Sequence, residues 1–245
     1  MHFTADARLD DGVVERHFTL GDVPGILWTP PSASSAAPVP LILMGHPGGL
    51  GRMHPRIEGR ARDSVAQGYA TATIELPGSG DRPRIDALDD ARAELRQALT
   101  HGERVTSDIV DRLILPLVDQ AVPEWQATLE AVLSMPEISG PVGFSGGVIA
   151  IGVRLALVEP RIVAAGLFAG SYVPDITLRE ARNVTIPLHV LLQWDDEAND
   201  RQMALDLFDA FGSSEKTLQA NMGGHTGVPD FAGEDAARFF ERHLR

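Results

Sequence analysis

The chain has 245 residues, 44% hydrophobic and 22% charged, the proportions of an ordinary folded protein and enough for one large α/β domain. Its net charge of −13 argues against nucleic acid or an anionic membrane as a partner, because neutralising phosphates takes Lys and Arg in excess. It contains no cysteine, which excludes disulfides, a thiol nucleophile and thiolate metal sites.

No basic stretch followed by an apolar core opens the sequence, and no apolar run approaches the roughly 20 residues that span a bilayer. A cytoplasmic location is therefore expected. Residues 13–20 and 23–29 read as two strands joined at Gly21-Asp22. The stretch 30–38 is a surface loop, rich in Pro, Ser and Ala and too short to link domains. Leu41-Ile42-Leu43-Met44 is short and wholly apolar, as a buried parallel strand is. Residues 57–67 are predicted as helix and 69–75 as the next strand.

Strand and helix then alternate. Strands are predicted at 141–144, 163–168, 188–193 and 216–220, and helices at 148–158, 200–211 and 235–243. This alternation implies an α/β fold: a mostly parallel central sheet of about eight strands with helices on both faces, in one domain over 1–245. About 50 residues separate two core strands between Ile85 and Met135, more than one crossover helix requires. Residues 125–135 are assigned to that crossover. Residues 86–100 and 105–118 are predicted as two further helices, a small insertion around 85–118 that packs on one end of the sheet or borders a pocket.

The most informative stretch is Gly143-Phe144-Ser145-Gly146-Gly147, which matches G-x-S-x-G between an apolar run and a helical one. In that context it predicts a nucleophile elbow, a sharp strand-to-helix turn presenting a serine hydroxyl. Glycines are needed there because a Cβ would crowd the turn. A serine hydroxyl is a weak nucleophile unless a base stands beside it, usually oriented by an acid. In this kind of sheet such groups gather just beyond the carboxyl ends of strands.

Of eight histidines, His225 fits best, in the glycine-rich loop after the last predicted strand. His189 lies within a strand, His2, His17, His101 and His243 read as surface positions, and His46 and His54 fall in the loop after an early strand. The acid should follow strand 188–193, where Asp195, Asp196 and Glu197 stand together, and spacing alone does not choose between Asp195 and Asp196. The order serine, acid, histidine is that of an α/β-hydrolase triad. One oxyanion donor is expected at the N–H of Gly146, and the other in the loop Gly45-His46-Pro47-Gly48-Gly49. Pro47 has no N–H, which leaves Gly48 as the candidate.

With these motifs assembled, the chain resembles the α/β-hydrolase superfamily, in the single-domain branch near dienelactone hydrolases and prolyl-oligopeptidase-like esterases. The matching segments are Gly45 to Gly49, Glu75 to Asp81, Gly143 to Gly147, Gln193 to Glu197 and Gly223 to His225, in the family's order. The resemblance implies Ser145 as nucleophile, His225 as base, Asp196 as the acid and a structural His46. It also implies an acyl-enzyme on Ser145 and a small or medium-sized carboxylic ester as substrate. Serine stands where dienelactone hydrolases carry cysteine, so lactone hydrolysis is not inherited with the fold. No metal or organic cofactor is expected, and a monomer or homodimer is. Thioesterase, lactonase, amidase or acyltransferase chemistry would use the same triad, and a non-catalytic ligand-binding protein on this scaffold is the alternative from another class.

Overall fold

The computed structural model describes residues 1–197 and 199–245. A single sheet of nine strands runs through the described residues, in the order β1-β2-β3-β5-β4-β6-β7-β8-β9. The hairpin predicted at Gly21-Asp22 joins β2 (Val14–Leu20) to β3 (Val23–Thr29), with Leu20 paired to Val23. The additional strand, β1 (His2–Arg8), extends this antiparallel edge. It escapes a sequence reading because its one half-buried residue is Phe3, which leaves no apolar alternation to detect.

β4 (Val39–Gly45) and β5 (Ala70–Ile74) begin the parallel part, which continues through β6 (Ile138–Gly146), β7 (Ile162–Phe168), β8 (Leu188–Gln193) and β9 (Lys216–Asn221). Five of the eight pairings are parallel, so the sheet is mostly parallel as expected. Along β4 the side chains divide by period 2. Leu41 and Leu43 enter the larger core beneath α2 (Asp86–His101), α3 (Ser107–Leu133) and α4 (Ile149–Val158). Ile42 and Met44 face the other way, toward α7 (Phe231–Leu244) and α1 (Leu50–Ala66). α5 (Asp175–Ala181) and α6 (Arg201–Ala210) complete the series.

β4 is flanked by β5 on one side and β6 on the other. The chain therefore reverses its direction of progress across the sheet between β4 and β6. Such a point leaves a crevice at the carboxyl ends of the strands, and ligands in open α/β sheets bind there.

Three helices differ from expectation. α1 begins at Leu50, seven residues before its predicted start, because its first free N–H is capped from another strand. Both carboxylate oxygens of Glu75, just beyond β5, accept from Leu50 N at 3.0 Å. The helices predicted at 105–118 and 125–135 are one helix, α3, which runs through Pro116 and Pro123. Each proline removes an N–H, yet burial of Leu117, Val118, Ala121, Val122 and Trp125 holds the middle of the helix on the core. α7 starts at Phe231, four residues early.

α3 is anchored by Trp125, fully buried and edge-on to Phe144 of β6 with ring centroids 6.0 Å apart. Trp125→Ala is expected to lower the unfolding free energy by about 3–5 kcal/mol, the cost of a large buried cavity. Urea unfolding followed by circular dichroism would measure this.

Candidate active site

The carboxyl ends of β4 and β6 meet with no side chain between them. Gly45 pairs with Gly146, and a Cβ built on Gly147 would stand 2.9 Å from Gly45 Cα. Gly146 and Gly147 have φ of 78° and 76°, a region that L side chains rarely adopt. These two glycines make the turn from β6 toward α4, whose N-cap is Val148. Ser145 itself is the strand residue before the turn, paired with Met44 and Gly166. This differs from an elbow centred on the serine: the positive φ falls on the glycines, because the strand continues through Ser145 before the chain turns.

Ser145 shares its face of β6 with Gly143, where a Cβ would strike Phe240 of α7. Its hydroxyl therefore lies on the α1 and α7 side of the sheet. There it accepts a hydrogen bond of 3.0 Å from Arg60 Nη2. The same guanidinium donates to the carbonyls of Gly45 and Ser145, at 3.3 Å each. Among the described residues Arg60 has no carboxylate partner. Burial, with the charge of Arg56 adding to it, lowers its pKa to about 10. The sequence reading gave Arg60 no role. A signal was present, since it falls in the inward stripe of α1, three residues after buried Ile57 and beside buried Ala61.

His225 lies in the loop after β9, with Nδ1 2.7 Å from Asp196 Oδ2. The Asp196 side chain is 3% exposed. Asp195, the neighbouring candidate, is exposed and donates its backbone N–H to Gly223 O. Glu197 accepts from His225 N at 3.4 Å, and a bond from its own backbone N–H, with this one second, lowers its pKa. The His225 ring packs edge-on against Phe168, with centroids 5.5 Å apart.

Among the described residues no hydrogen bond joins His225 to Ser145. The two nevertheless approach the same strand from the same face. A Cβ at Gly166 of β7 would lie 3.8 Å from Ser145 Oγ, and Phe168 is two residues, about 7 Å, further along that face.

His46 is buried and satisfied, with Nε2 donating to Ile74 O at 2.8 Å and Nδ1 accepting from Gly48 N at 3.4 Å. Burial pushes its pKa down, so it is a neutral ring that shapes the loop. Among the described residues that long bond to His46 is the one Gly48 N makes, while the N–H of Gly146 belongs to a residue paired in the sheet. His189 is buried in β8, bonded to Thr217 and stacked on Phe239. His17 and His243, expected at the surface, are partly buried, and His54 lies on α1 and not in a loop.

Beside the Gly48 loop is a cleft of about 460 Å³ bordered by Arg52, Arg84, Arg92 and Arg96, with Asp89 as its acidic side chain. Asp89 pairs with both Arg84 and Arg92. The cleft is thus positive in a chain whose net charge is −13.

No protein-family profile matches the chain, and no curated protein does. Solved structures do. A cold-adapted esterase from an Arctic intertidal metagenomic library has 27% identity over 100% of both chains, with a TM-score of 0.78. A zinc-bound structure of such an esterase gives 25% identity over 100% of both chains and a TM-score of 0.74. An acetyl xylan esterase from Paenibacillus sp. R4 shares the fold at 13% identity, with a TM-score of 0.65 over 99% of this chain and 88% of that one. Sheet order, switch-point crevice and neighbours together place this chain in the α/β-hydrolase superfamily. It is a carboxylesterase-like hydrolase.

The glycine contact between β4 and β6 supports the whole crevice. Gly147→Ala is expected to destabilise the fold by more than about 1 kcal/mol, since it adds both a strained φ and a backbone clash. Thermal unfolding of the variant against the wild type would measure the effect.

Proposed function

We propose that the protein is a serine esterase that cleaves a carboxylic ester through an acyl-enzyme on Ser145. The observation that carries this reading is the Asp196–His225 pair, seated beyond β8 and β9 on the face of the sheet that holds the Ser145 hydroxyl. Asp196 fixes the imidazole with Nδ1 toward the carboxylate, which leaves Nε2 as the proton acceptor. His225 Nε2 takes the Ser145 proton as Oγ attacks the ester carbonyl, and the N–H groups of Gly146 and Gly48 receive the oxyanion. His225 then protonates the leaving alcohol. Water, deprotonated by the same ring, releases the acid.

Two rearrangements belong to this reading. Ser145 Oγ leaves Arg60 and turns toward His225, and Gly48 N exchanges its long bond to His46 for the oxyanion. The Gly48 bond, at 3.4 Å, is at the weak end of the range, and a developing negative charge competes well for that donor. The Arg60 bond, at 3.0 Å, is of ordinary length and has to be exchanged for the one to His225. The same triad serves thioesters, lactones, amides and acyl transfer, which are arms of the same substrate panel.

Intact mass after treatment with a fluorophosphonate tests the reading. One adduct is expected on the wild type, mapped to Ser145 and absent from Ser145→Ala and His225→Ala. A folded wild type that takes no adduct would refute it and favour the ligand-binding alternative. Asp196→Asn is expected to lower kcat on the order of 10⁴-fold, whereas Asp195→Asn should leave it within a few-fold.

The arginine-lined cleft further favours an ester carrying a carboxylate or phosphate group. For two esters that differ only in a terminal carboxylate against its methyl ester, kcat/KM should be about tenfold higher for the charged one. That advantage should shrink with added salt and in Arg96→Gln, as screened surface charge requires. Initial rates across a salt series would measure it.

A further inference from the structure

On the antiparallel side of the sheet, three side chains of metal-ligating type converge. Glu15 and His17 are two residues apart on β2, so the strand period puts both on one face. His54 reaches them from α1, which covers that face. Nε2 of His17 is 2.8 Å from Glu15 Oε1, and Nε2 of His54 is 3.1 Å from the same oxygen. The ligand atoms of all three lie within 4.8 Å of one another. In a tetrahedral zinc site with bonds of about 2.0–2.1 Å, neighbouring donors stand roughly 3.3–3.4 Å apart. Small side-chain movements bring the three to that spacing.

The surroundings orient the ligands as a metal site requires. Trp28 Nε1 donates to Glu15 Oε2 at 2.7 Å, which fixes the carboxylate and leaves Oε1 facing the two imidazoles. Glu58, one turn beyond His54 on α1, places Oε2 3.6 Å from His54 Nδ1. A carboxylate behind the distal nitrogen is the usual support for a ligating histidine. Glu15 is 5% exposed, and among the described residues no Lys or Arg pairs with it. A buried carboxylate without a fixed cation is costly, and a bound ion removes that cost. The alternative is a plain hydrogen-bonded cluster, in which both rings must be protonated at Nε2 to share one oxygen.

We propose that Glu15, His17 and His54 bind a divalent transition-metal ion, zinc by the donor set, with its remaining position open to the adjoining cavity of about 570 Å³. Two imidazoles and one carboxylate suit zinc, whereas magnesium and calcium prefer oxygen throughout. The site ties β2 to α1 across the smaller core. It lies four strand spacings from β6, roughly 19 Å, so it is separate from the ester chemistry.

Titration of the chelator-treated full chain with zinc chloride, followed by calorimetry and native mass spectrometry, tests this. One zinc per chain is expected, with a rise in melting temperature that millimolar magnesium does not reproduce. His17→Gln and His54→Gln should each weaken binding at least tenfold while unfolding, metal-free, within a few degrees of the wild type. His225→Ala should bind zinc as the wild type does. No zinc on folded wild type would overturn the proposal, as would undiminished binding in both glutamine variants, or binding lost in His225→Ala instead. Should a glutamine variant fail to fold, Glu15→Gln, which keeps the acceptor for Trp28, provides the same test.

Discussion

The close approach of β4 and β6 at their carboxyl ends is the constraint on which the rest of this structure depends. Gly45 and Gly147 nearly touch, so the two strands leave the sheet in opposite directions from almost one point. Every group at the crevice takes its position from that contact. The Gly45 carbonyl becomes an acceptor for Arg60, and the Ser145 carbonyl is its counterpart across the gap. His46 follows Gly45 directly and fills the space beneath the loop, where its two ring nitrogens bond the backbone on either side. Glu75 closes the third side by capping α1, and that cap carries Arg60 on the same helix into place. A side chain at either glycine would part the strands and disperse all of these groups together.

The Arg60 guanidinium meets three oxygens and, among the described residues, no carboxylate; it holds the strand ends together through neutral acceptors, and its charge stays largely uncompensated. A positive charge next to a serine hydroxyl favours any anion that forms there. The same bond holds the hydroxyl away from a histidine on the same face. The resting arrangement is thus one in which the Ser145 hydroxyl is engaged by Arg60, while Asp196 and His225 already form a pair.

Much of the fold was legible because it rests on local patterns. The hairpin, the wholly apolar strands and the closing helices all follow from period and composition, and Ser145 and His225 stood out through motif and chain order. What was hidden came from contacts between distant segments. The early start of α1 depends on Glu75, which is 25 residues away in sequence. The continuity of α3 past Pro116 and Pro123 depends on the core beneath it. Spacing alone does not choose between Asp195 and Asp196; the resemblance favours Asp196, and it is the Asp196 carboxylate that the fold sets against His225 while Asp195 is left exposed. His17 and His54 read as unremarkable singly, because their partner is a buried glutamate that pairing and packing bring to both. β1 left no trace, since a strand at the outer edge with a single half-buried residue has no pattern to give.

The helices that cross between β5 and β6 carry a consequence for how this protein can diversify. Arg84, just before α2, and Arg92 and Arg96, on its surface, supply most of the positive charge in the cleft, while Ser145 stands at the end of β6 and Asp196 and His225 in loops beyond β8 and β9. Under the proposed function, recognition and reactivity thus occupy separately encoded stretches of chain. Exchange of a few residues over one exposed helix would redirect the molecule toward neutral or cationic partners, with the sheet and its strand-end contacts untouched. A lineage built this way can drift in substrate preference at little cost in stability.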